Sequence, residues 1–334
     1  MTGNSKNILC ILSEAHHYDK IVSHAMQVAQ YHEARLTILL KLDALPPNAN
    51  MVMQSFAYLE THNSMESAAK VWMDKQVTQW SKQYPVTGTV AVGQSSTETI
   101  QYIMANDIDL VIKLSDADDE ERLCGSDDME LLRKCPCPVW VVPRGDKEQY
   151  DTIVAALDLN YHYPAHEVSV RRALNKDILR YAAHVALMES AQLRIVHVFD
   201  AVPDNILRGG FISVDENALE NDLNNIYKER EEELERLITE IKAELKAQFK
   251  KGTMKKLRRQ KHLVHGYPRR EIAATATAVG AKAVVMGTVA RLGVPGFIMG
   301  GTAEETLQQL TCPVIGIKPE GFVSPVTPLD SESK

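Results

Sequence analysis

Aromatic side chains are scarce, 6% of 334 residues, so aliphatic residues must fill the core. No stretch reaches the roughly 18 consecutive apolar residues of a membrane-spanning helix, and no membrane span is expected. The segment Met1–Asn7 runs directly into a strand-like stretch and lacks the apolar run and small-residue cleavage site of a secretory signal. Cysteines number only five, an odd count that suits reduced thiols. Together these features lead us to expect a cytoplasmic protein. Basic residues are not in excess: 37 Lys and Arg face 44 Asp and Glu, a net charge of −7. That balance excludes a surface built wholly for nucleic acid. G-x4-G-K-[ST], H-E-x-x-H and C-x-x-C are all missing, so a P-loop, a zincin site and a thioredoxin-type redox pair are not expected.

What is present is an ordinary globular composition, 45% hydrophobic and 24% charged, in a chain long enough for about two domains. It also contains a repeat. Cys137-Pro138-Val139-Trp140-Val141-Val142-Pro143 matches Cys312-Pro313-Val314-Ile315-Gly316-Ile317-Lys318-Pro319, Asp109–Lys113 matches Lys282–Met286, and Ile8–Leu12 matches Ile153–Leu157. Three matched segments in one order imply two copies of one fold. The join falls in the polar stretch 144–150, giving domains at 1–145 and 151–320 and a polar tail at 321–334.

Within each copy, short aliphatic runs alternate with helical patterns. The first copy predicts strands at 8–12, 36–42, 86–92, 109–114 and 138–142. The second predicts them at 153–157, 193–199, 262–265, 282–287 and 313–317. Ile21, Val22, Ala25, Met26 and Ala29 recur at helical spacing, as do Leu174, Ile178, Leu179, Ala182 and Val185. Residues 216–249 read as one long helix that packs against the sheet. Five strands separated by helices make a parallel, doubly wound sheet, which binds ligands beyond the carboxyl ends of its strands near the switch point.

The residues after the first and fourth strands of the second copy therefore matter most. Gly287 leaves the fourth strand, and Gly300-Gly301-Thr302 precedes the next helix, whose free N–H groups favour an anion. Such a loop either wraps a polyphosphate or is a plain turn. Asp158, after the first strand, either accepts a hydrogen bond from a ribose hydroxyl or adenine amine, or serves as a cap or turn residue.

With these residues the second copy resembles a universal stress protein domain, whose nucleotide-binding members carry G-x2-G-x9-G-[ST] after the fourth strand. Gly287 and Gly300 match the first and third glycines; Ala290 stands in the second position and Gly301 in place of the serine or threonine. Gly266–Ile272 resembles the family's strand-to-helix turn. Asp158, Val198 and Met286 match the positions such domains place around adenosine. The resemblance spans both copies and is strongest to the family's tandem-domain E branch. It implies an α/β fold of two tandem Rossmann-like doubly wound domains, each with a five-stranded parallel sheet, forming an internal pseudo-dimer. It further implies a cytoplasmic stress-response protein with an ATP site in domain 2, formed by Asp158, Val198, Met286, Gly287, Ala290, Gly300, Gly301 and Thr302, the ATP carrying Mg2+. The alternatives are a stress scaffold without nucleotide and a binder of another small or lipophilic ligand. Absence of the Gly301 hydroxyl should cost on the order of 1 kcal/mol, weakening ATP binding without abolishing it. No pairing of nucleophile and base is visible, so at most slow ATP hydrolysis is expected. An unidentified protein partner is expected, there is room for a homodimer, and no specific nucleic acid is expected.

In the first copy Leu114 replaces the first glycine, Ser13-Glu14 stand near the position of Asp158, and residues 115–121 carry five carboxylates. Like-charge repulsion should keep a triphosphate out. Cys135-Pro136-Cys137 lacks the C-x-x-C redox spacing, and Cys137, which enters a strand, reads as a structural thiol. His162 and His166 could share a helix face and bind zinc, though no recognised ligand set surrounds them. The basic run from Lys250 to Lys261 reads as a solvated loop after an acidic helix, and 44–62, with Met51, Met53, Phe56 and Tyr58, as core or as a lid.

Overall fold

A computed structural model of the chain describes residues 5–13, 18–43, 56–117, 122–144, 150–160, 163–199, 216–249, 252–289 and 299–328. It separates into two compact units, one spanning 2–148 together with the segment from Val323, the other Gln149–Phe322. Gln101 Nε2 donates to Thr327 O at 3.0 Å, and Val326 is buried, so the C-terminal segment is tied into the first unit.

The N-terminal unit runs β1 (Asn7–Leu12), α1 (Asp19–His32), β2 (Arg35–Leu42), α2 (Phe56–Trp80), β3 (Val86–Val92), α3 (Ser96–Ala105), β4 (Leu110–Leu114), α4 (Ser126–Lys134) and β5 (Val139–Val142). Its described strands pair in parallel, in the order β3-β2-β1-β4-β5. Ile8–Leu12 are buried on both faces, as a central parallel strand requires, and Ile21, Val22, Ala25, Met26 and Ala29 form the buried stripe of α1.

The C-terminal unit repeats the pattern: β6 (Thr152–Leu157), α5 (Ala165–Met188), β7 (Gln192–Phe199), α6 (Glu216–Gln248), β8 (Arg258–His265), α7 (Pro268–Ala278), β9 (Ala283–Gly287), α8 (Gly301–Gln309) and β10 (Val314–Ile317). Its order is β10-β9-β6-β7-β8, again parallel. The expected doubly wound α/β fold is present in both copies. Each sheet reverses direction beside its first strand, between β1 and β4 and between β6 and β9, which places the ligand crevice of the C-terminal unit over the ends of β6 and β9.

The long helix α6 packs through Leu234, Leu237, Ile238, Ile241 and Leu245, all buried, while Arg172–Glu233, Lys176–Glu240 and Arg180–Glu244 ion pairs tie it to α5. One expectation needs correction. Arg258–Lys261 are not loop: β8 begins at Arg258, pairing in register with Gln192–Ile195 of β7. Their side chains are exposed because β8 pairs only with β7 among the described residues, and charged side chains suit such an edge. Among the described residues, no helix is long and apolar enough to cross a membrane.

Candidate functional site

A cavity of about 360 Å³ opens at the switch point of the C-terminal unit. Its floor is Ala156 and Leu157 at the end of β6 and Met286 and Gly287 at the end of β9. Val198 of β7 lines one side, and Gly300, Gly301 and Thr302 at the start of α8 line another. The structure thus brings together every sequence-selected site residue that it describes. Ala290 lies outside the described residues, as do His162, Met51 and Met53.

Asp158 follows β6 as a turn residue. Its Oδ1 accepts the Asn160 amide at 3.1 Å, and Pro164, not Asp158, precedes the first residue of α5. The turn is braced from below. Asn175 of α5 receives the Asp158 amide on Oδ1 at 3.0 Å and donates Nδ2 to Asp158 O at 2.7 Å. Buried His197 of β7 places Nδ1 3.1 Å from Leu157 O and 3.4 Å from Leu159 N. Burial lowers the pKa of His197 to about 4, so the ring is neutral near pH 7. Arg171 Nη1 donates to Asp158 Oδ2 at 2.6 Å, while its guanidinium stacks 3.7 Å from the centroid of Tyr163. A carboxylate has about four acceptor positions, so these contacts leave Asp158 able to accept from a ligand.

At the opposite wall, Thr288 and Gly300 are joined by a Gly300 N–H bond to Thr288 O at 3.2 Å, and Val289 bridges Met299. Lys318, fully buried, donates to Thr288 Oγ1 at 2.6 Å and fixes the strand end. Gly300 is the N-cap of α8 with φ −60° and ψ 133° and, as a glycine, offers no side-chain cap of its own. The first-turn amides of α8 therefore face the cavity without an internal acceptor among the described residues. Gly287 proves to be a packing residue as well: a Cβ there would sit 2.8 Å from Leu174 Cδ2 of α5.

The equivalent place in the N-terminal unit is built differently. Aligning the ends of β4 and β9 sets Lys113 against Met286 and Asp116 against Val289; aligning Cys137-Pro138 with Cys312-Pro313 sets Asp128 against Ala303. Asp116 turns inward and caps α4: the Asp127 amide donates to Oδ2 at 3.0 Å and the Asp128 amide to Oδ1 at 3.2 Å. Asp128 in turn accepts the Gly125 amide at 2.9 Å and the Asp116 amide at 3.0 Å. Lys113 Nζ lies 3.0 Å from Asp116 Oδ1 and also bonds Asp128. Burial opposes the lysine charge, but Asp128 and Asp116 outweigh it and its pKa is raised. A side-chain carboxylate thus sits on the helix amides that an external anion would need.

A family model described as the universal stress protein family matches residues 4–143 and 172–318, once in each unit. The chain belongs to the universal stress protein family. Universal stress protein E of Photorhabdus laumondii is 22% identical over 334 residues, covering 97% of this chain and 98% of the relative. A universal stress protein E homolog of Haemophilus influenzae is 24% identical, covering 94% and 97%. Among solved structures, a functionally unknown protein from Pseudomonas aeruginosa has TM-score 0.60 at 21% identity, covering 95% of this chain and 94% of its own. A universal stress protein from Archaeoglobus fulgidus has TM-score 0.57 at 14% identity, covering 95% and 97%. Both likenesses show the fold, and the two copies expected from the repeat and the tandem universal stress protein architecture expected from the resemblance are borne out.

Two features of this universal stress protein escaped sequence reasoning. Arg171 and Tyr163 flank Asp158, and Arg269 of α7 reaches the start of α8, where it lines the cavity beside Gly301 and pairs with Glu305. An arginine at helical spacing from Leu174 was a visible signal for the first. Nothing in the local sequence announces the second.

Proposed function

We propose that this tandem universal stress protein is a stress-response protein whose C-terminal domain binds an adenine nucleotide, ATP with Mg2+, while its N-terminal domain does not. One observation carries this reading: the first turn of α8 lines the cavity with amides that no side chain among the described residues caps, whereas the matching turn of α4 is capped by Asp116. Phosphate oxygens meet Gly301 and Thr302 N–H groups and the Thr302 hydroxyl, and each charge-assisted hydrogen bond contributes about 1.5–3 kcal/mol. Val198 and Met286 supply apolar wall for the adenosine, and Asp158 supplies an acceptor for its hydroxyl or amine groups. The volume of about 360 Å³ lies within the ~300–1,000 Å³ of small-molecule sites. Among the described residues, no group of three His, Cys, Asp or Glu converges to hold a metal. Mg2+ therefore enters on the phosphate oxygens and its own waters, as it commonly does. Any ATP hydrolysis is slow, supported by positioning rather than by a dedicated base.

Calorimetry with ATP and Mg2+ on the wild type and on Gly300→Val tests the reading. Gly300 has φ −60°, which valine adopts without strain, so the variant adds bulk to the cavity wall and leaves the backbone alone. Saturable heat in the wild type that is lost in Gly300→Val is expected; equal, negligible heats in both proteins would sink the proposal.

A further inference from the structure

Gly301 departs from the family pattern by lacking a hydroxyl, and the structure shows what occupies the space. A Cβ built on Gly301 would lie 2.9 Å from Arg269 Nη2 and 3.3 Å from its Cζ. The guanidinium rests against the first turn of α8, in the room that the absent side chain leaves. Its Nη1 pairs with Glu305, one turn further along α8, and its backbone oxygen accepts Gln309 Nε2 at 3.0 Å. Among the described residues, Nη2 has no bonded acceptor, and Arg269 lines the cavity.

The guanidinium also lies 5.8 Å from the centroid of the Tyr267 ring, a weak cation–π contact. A cation beside a helix N-terminus opposes the helix dipole. The Glu305 partner offsets it only in part, because the two side chains are 39% and 43% exposed and such pairs contribute little. An anion placed among Nη2 and the Gly301 and Thr302 amides would resolve both charges at once. A guanidinium offers five donors in a fixed fork suited to phosphate.

We infer that Arg269 is a phosphate-binding residue of the C-terminal site, replacing the serine or threonine hydroxyl of the family pattern and selecting nucleoside polyphosphates over uncharged nucleosides. The inference rests on the nucleotide reading of this cavity. It has a counterintuitive consequence: adding a side chain at residue 301 weakens ATP binding by displacing Arg269. The displaced atoms are the far end of a flexible side chain, so Gly301→Ala should fold normally.

Calorimetry with Mg-ATP, adenosine and inorganic tripolyphosphate on the wild type, Arg269→Gln, Gly301→Ala, the double variant and Glu305→Gln decides it. Arg269→Gln and Gly301→Ala are each expected to weaken Mg-ATP by about ten-fold or more and leave adenosine unchanged. Their losses should not add in the double variant, because both remove one contact. Glu305→Gln removes the same link between α7 and α8 but frees the guanidinium, so it should tighten Mg-ATP; a loss equal to that of Arg269→Gln would mean the arginine is merely structural. An Arg269→Gln protein that binds Mg-ATP like the wild type overturns the Arg269 assignment and leaves the nucleotide site standing. A wild type that binds tripolyphosphate but not adenosine or ATP overturns the nucleotide reading and keeps the phosphate contact, whereas binding of none of the three overturns both.

Discussion

A lysine amine sealed at 1% exposure keeps its charge only where counter-charges meet it directly. Lys113 has two, Asp116 and Asp128, and the three residues fill the place that Met286, Val289 and Ala303 leave open in the other domain. Removing one partner of such a cluster strands the rest. Lys113→Met is expected to destabilise the N-terminal domain by about 3–5 kcal/mol, measured by denaturant unfolding with tryptophan emission. Adding Asp128→Ala should recover part of the loss, because one stranded carboxylate is gone. The carboxyls titrate with opposite signs. Burial, then Asp116, pushes the Asp128 pKa up to about 6. Burial also works against Asp116, yet its hydrogen bonding with Asp128 and the Lys113 charge hold it below the ordinary carboxylate range. The folded domain therefore takes up a proton near pH 6 at Asp128 that the unfolded chain takes up only near pH 4. Asp128 costs stability above pH 6, and that cost is relieved as the pH falls. Asp116 contributes stability above its ordinary pKa that is lost only in strong acid. A carboxyl-carbon NMR titration should place the Asp128 midpoint above that of an ordinary aspartate, and a midpoint at or below the ordinary value would refute this account.

Among the elements, α3 carries the clearest local design. Ser95 Oγ accepts the Glu98 amide at 3.2 Å, and Glu98 Oε2 accepts the Ser95 amide at 2.7 Å, a reciprocal cap that satisfies two orphan donors. Ser95→Ala should cost about 1 kcal/mol. The bond from the Ser95 backbone, followed by the one from its hydroxyl, lowers the Glu98 pKa. That carboxylate contributes stability above its ordinary value of about 4.3, and the contribution disappears as the pH falls through the lowered folded value. The Ser95→Ala penalty should accordingly be full at neutral pH and shrink in acid, as unfolding at pH 7 and pH 3 would show. Helix α6 and strand β8 explain each other in the same way. Lys261 of β8 bonds Glu231 at 3.0 Å and Glu235 at 2.7 Å, so the acidic helix and the basic strand are neighbouring faces of one domain rather than a helix followed by a loose tail.

At the scale of the whole molecule the two units differ in what they contain. Trp72, Trp80 and Trp140 all lie in the N-terminal unit, and every residue lining the cavity lies in the C-terminal one. A ligand that binds only the folded state stabilises it by about 2.7 kcal/mol at 100 times its Kd. Saturating Mg-ATP is expected to slow hydrogen exchange in β6, β7, β9 and α8, while exchange in β1, β2 and β4 stays as it was. Protection that appears first in the N-terminal strands would place the ligand in the wrong domain.

Much of this was legible in the chain. Buried parallel strands are continuous aliphatic runs, so the ten strands among the described residues were expected within a few residues of where they stand, with β8 the largest departure because its first half is charged edge. Matched segments in one order revealed the repeat, and the switch point of a doubly wound sheet directed attention to Asp158, Gly287 and Gly300. Periodicity and topology suffice for that, since both are written in local composition. They do not say which way a side chain turns or what it meets from a distant segment. The acidic residues after β4 looked like a repulsive loop, yet Asp116 points inward and caps its own helix. Gly287 looked like room for a ligand and is also room for Leu174, while the missing hydroxyl at Gly301 is space taken by Arg269. Such contacts join residues far apart in the chain, and only the packing of helices across a finished sheet determines them.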